Sequence, residues 1–244
     1  MNLGAITAWL DRELRLDAFD DVSNNGLQIA RTGASVKLVA FAVDGSVASV
    51  KAAAEAGAGL LVVHHGISWN GGIRRLTDGA YNVVKAAMDA DLALYGAHLP
   101  LDANRKYGNN WEIARFLRLK GVRPAFSYHG NVIGVVGTAA RTADVALGER
   151  TVRLVRNRKI GVCSGGAGEF APAAKALGCD LYVTGEASWG DVIAAENVGM
   201  EMVCCGHYAT ETFGVSALAR AMARELGVET VMLPRDGGGG KSGW

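Results

Sequence analysis

Two adjacent histidines, His64 and His65, stand directly after a short apolar run and before a glycine. The run, residues 60–63, is aliphatic with two β-branched members, which predicts a buried strand. Side chains alternate along a strand, but the pleat relaxes at its end, so neighbouring imidazoles there can converge on one centre or on two. Neutral imidazole is the commonest metal ligand in proteins, and α/β sheets place their sites at the carboxyl ends of strands. A lone histidine would more often be structural, whereas this pair predicts a metal site.

A weak internal repeat brings further residues into the same pattern. At an offset of 121 residues, the segments 37–45 and 57–65 fall on 158–166 and 178–186. At an offset of 109 residues, His98 falls on His207 and Asp102 falls on Glu211, and each pair follows a predicted strand. Ala- and Gly-rich helices align easily by chance, but the repeated His-x-x-x-carboxylate is harder to dismiss. We therefore expect two similar α/β lobes, residues 1–125 and 126–244, packed as one unit with the metal site at their junction.

The candidate ligands are imidazoles and carboxylates, without cysteine. This donor set suits zinc, iron or manganese better than a soft thiolate centre. The number of donors favours two divalent ions, because carboxylates can bridge a pair about 3.5–4 Å apart. The full set comprises His64, His65, His98, Asp102, His207 and Glu211.

Two residues have open alternatives beside a catalytic role. His98 either takes part directly or hydrogen-bonds a ligand from outside. Glu186 occupies the repeat position of His65, where a carboxylate can act as a general base. It can equally be a stabilising charge at a helix N-terminus. Both His98 and Glu186 are therefore candidate catalytic residues.

Composition bounds the classes of function. The chain has 244 residues, half of them hydrophobic, with a formal net charge of +1, which is typical of a globular protein. This balance gives no electrostatic reason to expect nucleic acid or a membrane surface as partner. No apolar run approaches the roughly 20 residues of a spanning helix, and the acidic N-terminal segment is unlike a signal peptide. The four cysteines form no CxxC pair, which predicts buried thiols in a reducing, cytoplasmic setting.

Periodicity predicts alternating elements along most of the chain. A strand at 37–43, a helix at 47–56 and the histidine strand form a β–α–β unit with parallel strands. Ser46 is the expected N-cap of that helix. The middle, 122–158, predicts short strands around one helix near 142–148, and the glycines at 237–240 predict a flexible tail.

At these residues the chain resembles the GTP cyclohydrolase I type 2-like family, also described as YbgI-like or NGG-interacting-factor-like dinuclear-metal-centre proteins. The matching segments occur in the family's order and cover nearly the whole chain. They are 24–28 (NNGLQ), 63–66 (VHHG) with Trp69, 95–102 (YGAHLPLD), 163–167 (CSGGA), 184–186 (TGE) and 206–211 (GHYATE).

The resemblance implies a dinuclear-metal-centre fold of two α/β lobes in a pseudo-repeat, in its compact version without an inserted domain. It implies His64, His65, Asp102, His207 and Glu211 as ligands of a metal pair. It also implies a homo-oligomer, a toroidal hexamer whose sites face an internal cavity.

The function expected from these features is a dinuclear metal-dependent hydrolase. It would act on a small molecule, a nucleotide or related heterocycle, through metal-activated water, as in the GTP cyclohydrolase activity described for some family members. The alternative is a non-catalytic metal-binding ring that handles metal or serves as a partner scaffold. A nucleic-acid-binding ring is disfavoured by the near-neutral charge.

Overall fold

A computed structural model describes residues 1–234; the glycines at 237–240 lie outside the described residues. Contacts divide the chain into two compact units. One contains Met1–Pro100 together with the described residues from Val215 onward, and the other is Leu101–Gly214. The two division points fall within helices α4 (Leu99–Ala103) and α8 (His207–Leu226).

The first unit is built on a five-stranded sheet in the order β1-β4-β3-β2-β12. Its strands β2, β3, β4 and β12 are parallel, and β1 pairs antiparallel with β4 at one edge. The bounds are α1 Leu3–Leu14, β1 Gly26–Ile29, β2 Leu38–Asp44, α2 Val47–Glu55, β3 Leu60–His65, α3 Asp78–Asp89, β4 Ala93–Gly96 and β12 Glu229–Met232.

The predicted β–α–β unit is confirmed. Strands β2 and β3 pair in parallel, and helix α2 between them begins after Ser46. The Ser46 side chain accepts a hydrogen bond from the Ser49 amide, as an N-cap does. Val50 of this helix packs in one apolar cluster with Leu61 and Leu94 of the sheet. This packing fixes the end of β3, where the paired histidines stand.

The second unit has a five-stranded sheet in the order β11-β10-β9-β6-β5 and a separate two-stranded hairpin. Strands β9, β10 and β11 are parallel, whereas β6 and β5 are antiparallel to their neighbours. The bounds are α5 Asn109–Phe116, β5 Leu119–Tyr128, β6 Asn131–Ala139, β7 Ala143–Leu147, β8 Arg150–Leu154, β9 Lys159–Cys163, α6 Ala171–Ala176, β10 Leu181–Thr184, α7 Trp189–Asn197 and β11 Met202–Cys204.

The helix predicted near 142–148 is wrong, because this segment is strand β7. Its residues pair with β8 in an antiparallel hairpin, with Val145 opposite Val152. Leu147 and Val152 are buried in the core of the unit, while Asp144 and Ala146 are exposed. That period-two alternation is the pattern of a half-buried strand.

The boundaries between the two units lie after Pro100 and after Gly214, and not at residue 125. Helix α5 lies before that position, yet Ile113 and Leu117 pack with Val135 and Val162 of the second unit. At the other end of the chain, β12 pairs with β2 of the first unit. Residues before position 125 thus pack in the second unit, and a strand near the end of the chain pairs in the first.

The fold is of the expected α/β class, and in each unit parallel strands end together at one edge. In the first unit these ends are Asp44, His65 and Gly96. In the second, β9, β10 and β11 are followed by Ser164, Gly185 and Cys205. Among the residues described, none of the helices combines the length and apolarity that crossing a membrane requires.

Candidate metal centre

Three imidazoles of the first unit converge at the carboxyl edge of its sheet. His64 and His65 end strand β3, and His98 follows β4. One potential ligand atom from each ring lies within 4.8 Å of those of the other two. The ring centroids are 4.7 Å apart for His64 and His65, 5.2 Å for His64 and His98, and 5.8 Å for His65 and His98. The sequence placed all three histidines among the candidate site residues, and the structure brings their rings together.

Nδ1 of each paired histidine faces an oxygen. His64 Nδ1 is 2.9 Å from the Ala97 carbonyl oxygen, and His65 Nδ1 is 2.8 Å from Asp44 Oδ1. Carbonyl and carboxylate oxygens only accept, so in neutral imidazoles Nδ1 donates and Nε2 carries the lone pair. Metal-binding histidines commonly have this arrangement, in which an outer oxygen fixes the tautomer and the ring orientation.

His98 is held by a polar loop that precedes β1. Its Nδ1 lies 2.9 Å from Asp21 Oδ1, and its backbone amide donates to Asn25 Oδ1 at 2.8 Å. Burial alone would raise the pKa of Asp21, but hydrogen bonds from His98, Asn25 and the Ser23 amide outweigh it. Together they lower the pKa of this carboxyl to about 2. Asp21 is therefore an ionised acceptor at neutral pH.

Sequence reasoning missed both carboxylates, Asp21 and Asp44. A signal existed for Asp44, since it ends β2 and stands opposite His65 in the parallel register. Asp21 lies in a segment that predicted only a polar turn, and the contact with His98 depends on how that turn folds back. Trp69 also approaches the cluster, with its ring 5.2 Å from that of His98.

In the second unit, His207 lies between two carboxylates. Nδ1 of His207 is 2.9 Å from Glu186 Oε1, and Nε2 is 3.2 Å from Glu211 Oε1. His207 and Glu211 are four residues apart on α8 and so share one face of the helix. The hydrogen bond with Glu211, supported by Glu186, outweighs burial and raises the pKa of His207 to about 9. This arrangement favours positive charge between the two carboxylates.

Asp102 is a buried carboxylate held by neutral donors. Its Oδ1 accepts from Asn109 Nδ2 at 2.8 Å and from Ser164 Oγ at 3.2 Å. The Ser164 amide in turn donates to Asn110 Oδ1 at 2.6 Å. Two adjacent asparagines at the start of α5 thereby tie Asp102 to the turn that follows β9.

Gly165 lets the same turn lie close to His207 and Glu211. Its backbone is left-handed, with φ +67°, and a Cβ added there would overlap Glu211 Oε1 and lie 3.4 Å from His207 Nε2. Only glycine fits without displacing the carboxylate. Asp102, His207 and Glu211 therefore gather around the turn formed by Ser164 and Gly165.

Comparison with known proteins finds a family model and relatives that match nearly the whole chain. The model of the family Duf34/NIF3 (NGG1p interacting factor 3) matches residues 1–236. The chain belongs to the Duf34/NIF3 family. Among relatives, a "GTP cyclohydrolase 1 type 2 homolog" from Deinococcus radiodurans is 40% identical over 237 residues, covering 91% of this chain and 89% of the relative. A protein of the same name from Pyrococcus horikoshii is 35% identical and covers 96% of this chain and 98% of its own.

Solved structures of Duf34/NIF3-like proteins share the fold. The structure of ybgI, of unknown function, superposes with a TM-score of 0.81 at 25% identity, covering 97% of this chain and all of that one. Reduced HcgD from Methanocaldococcus jannaschii gives a TM-score of 0.79 at 26% identity, covering 96% and 98%. The resemblance to the YbgI-like family and its fold are confirmed.

The donor set fits a divalent metal. Imidazole nitrogens and carboxylate oxygens suit zinc, iron and manganese. The nearby thiol of Cys163 is fully buried, and its burial, together with the charge of Asp102, raises its pKa well above the ordinary value. Such a thiol does not supply the thiolate that metals bind. Among the residues that the structure describes, His and Glu groups of this Duf34/NIF3 chain could hold a metal ion.

The expected site residues thus fall into two groups. The first unit contributes the imidazoles of His64, His65 and His98. The second contributes Asp102, His207 and Glu211, with Glu186 bound to the far side of His207. That the two groups serve one centre stays a prediction.

Proposed function

We propose that this Duf34/NIF3 protein is a dinuclear metal-dependent hydrolase that acts on a nucleotide or related heterocycle through metal-activated water. The observation that carries the proposal is the cluster of three imidazoles, each oriented by an oxygen on Nδ1. The names of the relatives support the substrate class, because curated members are described as homologues of a GTP cyclohydrolase.

The proposed ligands are His64, His65, Asp102, His207 and Glu211, binding two divalent ions of zinc, iron or manganese. When bound, such a pair supplies Lewis acidity and lowers the pKa of water toward neutrality. Asp102 already has one oxygen committed to Asn109 and Ser164, which holds its carboxylate in one orientation. Glu211, only 4% exposed, lies against Gly165 and has Oε1 3.2 Å from His207 Nε2.

His98 and Glu186 are the residues proposed to move protons. His98 has Nδ1 bound to Asp21, so its Nε2 is the basic nitrogen. Glu186 uses one oxygen on His207 while 62% of its side chain is exposed to solvent. A carboxylate in that position can accept a proton from water and release it to solvent.

A single centre requires that donors of both groups serve the same ions. We expect His65→Asn and Glu211→Gln each to lower the bound metal of protein purified without added metal, as measured by elemental analysis. The matched controls are His129→Asn and Glu201→Gln, since His129 is exposed in the turn between β5 and β6 and Glu201 precedes β11. Full metal content in either site variant would contradict the shared centre.

Turnover is tested by a nucleotide screen on the metal-loaded protein. GTP consumption with formate release supports ring-opening hydrolysis, and phosphate release supports a phosphohydrolase. A variant that lacks metal yet keeps full activity refutes the metal-dependent mechanism. If no substrate is consumed and chelation dissociates the oligomer, the non-catalytic metal-binding ring replaces the hydrolase.

The assembly and the setting belong to the same proposal. We propose a toroidal hexamer, which light scattering coupled to size exclusion measures directly. A reducing, cytoplasmic setting is proposed from the cysteines, which are all free thiols.

A further inference from the structure

We propose that Asp21 is a positioning residue that fixes the Nδ1–H tautomer and the orientation of His98, so that Nε2 of this imidazole is the proton acceptor at the candidate centre. The role given to His98 rests on the proposed function. The tautomer itself does not, because it is a property of the polypeptide.

The Asp21 carboxylate is fully engaged by donors that come from the chain itself. Oδ1 accepts from His98 Nδ1 at 2.9 Å and from the Ser23 amide at 3.1 Å. Oδ2 accepts from Asn25 Nδ2 and from the Leu99 amide, both at 2.9 Å. Because a carboxylate only accepts, the His98 nitrogen that faces it must donate.

The loop also holds the backbone that carries His98. Asn25 Oδ1 accepts from the His98 amide, while Asp21 Oδ2 accepts from the amide of Leu99, the next residue. The imidazole and its own backbone are therefore bound by one short segment of chain. Rotation of the ring would break the bond between Nδ1 and Asp21.

Comparison of the three imidazoles singles out His98. The partner of His64 Nδ1 is a neutral carbonyl, and the partner of His65 Nδ1 is a carboxylate whose side chain is 49% exposed. The partner of His98 Nδ1 is a carboxylate whose side chain is 2% exposed. A charge-assisted hydrogen bond is strongest where water is excluded, so of the three outer oxygens that of Asp21 holds its imidazole most firmly.

The test is the ¹⁵N spectrum of the histidine side chains in the full-length protein, recorded with metal removed and again with zinc bound. We expect His98 to show the Nδ1–H tautomer in the wild-type chain. In Asp21→Ala, the population of that tautomer falls toward the mixture found in solvated imidazole. The matched control, Asp44→Ala, changes the signal of His65 and leaves that of His98 unchanged.

Two results overturn the inference. One is an Nε2–H tautomer of His98 in the wild-type protein, which needs no variant and so does not depend on whether Asp21→Ala folds. The other is an unchanged Nδ1–H signal in a folded Asp21→Ala chain.

Activity separates this inference from the proposed function. With a substrate identified, Asp21→Ala is expected to lower kcat by about 10- to 100-fold, the usual effect of removing an orienting partner, with little change in KM. A wild-type protein that holds the Nδ1–H tautomer but turns over no substrate would refute the hydrolase and leave the role of Asp21 intact.

Discussion

Replacement of Gly165 by alanine tests the geometry of the second unit most directly. The new Cβ would overlap Glu211 Oε1 and stand 3.4 Å from His207 Nε2. Because Glu211 is almost fully buried, its carboxylate cannot swing into solvent and must shift within the packed interior. Relief of the overlap requires a displacement on the order of 1 Å, since non-bonded atoms prefer separations of about 3.5–4 Å.

The variant carries a second penalty that has to be separated from the first. At φ +67° an alanine sits in the left-handed region, which costs about 1–2 kcal/mol. Gly178 provides the matched control, because it has φ +73° and nothing within 4 Å of an added Cβ. Gly178→Ala therefore measures the backbone strain alone.

Both variants are compared by urea unfolding and by competition with a chelator for zinc. We expect each to lose about 1–2 kcal/mol of unfolding free energy from strain, with a further loss for Gly165→Ala. Zinc affinity should be unchanged in Gly178→Ala and at least about 10-fold lower in Gly165→Ala, or about 1.4 kcal/mol. Equal zinc affinities would show that the oxygen beside Gly165 is not a metal ligand, and the reasoning would fail.

Three further outcomes are expected. Asn109→Ala should lower the free energy of unfolding in urea by about 1–3 kcal/mol, because Asp102 loses a donor and the buried Gly214 amide loses its acceptor; an unchanged midpoint would contradict this. The pKa of Asp91 is lowered to about 2 by hydrogen bonds from Thr32, chiefly from its amide, so its stabilisation is complete above pH about 3.8 and is lost as the pH falls toward 2. The stability difference between wild type and Asp91→Asn should therefore shrink over that interval in acid titrations, and a constant difference would be inconsistent with it. Removal of metal should lower Tm, since a metal present at 100 times its Kd stabilises the fold by about 2.7 kcal/mol; identical melting curves with and without chelator would argue against binding.

The parts of the fold that sequence predicted are those set by local pattern. The strand ending in His64 and His65 has a continuous apolar run, and the parallel β–α–β unit has a capped helix between two such runs. The helix predicted at 142–148 was wrong because alanine and valine fit either a helix or a strand over so short a length. Pairing with β8 decides between them, and that information lies outside the segment.

At the site, the sequence could name candidate ligands, and their binding of metal stays a prediction. Each candidate ligand stands at the end of a strand or shortly after one, where its type and position can be read from the chain. The carboxylates that orient the histidines are harder to read, because only Asp44 leaves a signal, as the last residue of β2. Asp44 meets His65 across a register 21 residues apart, and Asp21 meets His98 across 77 residues. Contacts of that kind depend on strand order and loop closure, which no local pattern encodes.

The pairing of β12 with β2 bears on how the polypeptide matures during synthesis. Domains usually complete in the order in which they leave the ribosome. Here the N-terminal sheet waits for a strand made about 190 residues after its partner, whereas the middle of the chain has all its own strands by then. Until translation reaches residue 232, the edge of β2 is open, and exposed edges invite aggregation. A nascent chain that ends before β12 therefore exposes the backbone donors and acceptors of β2.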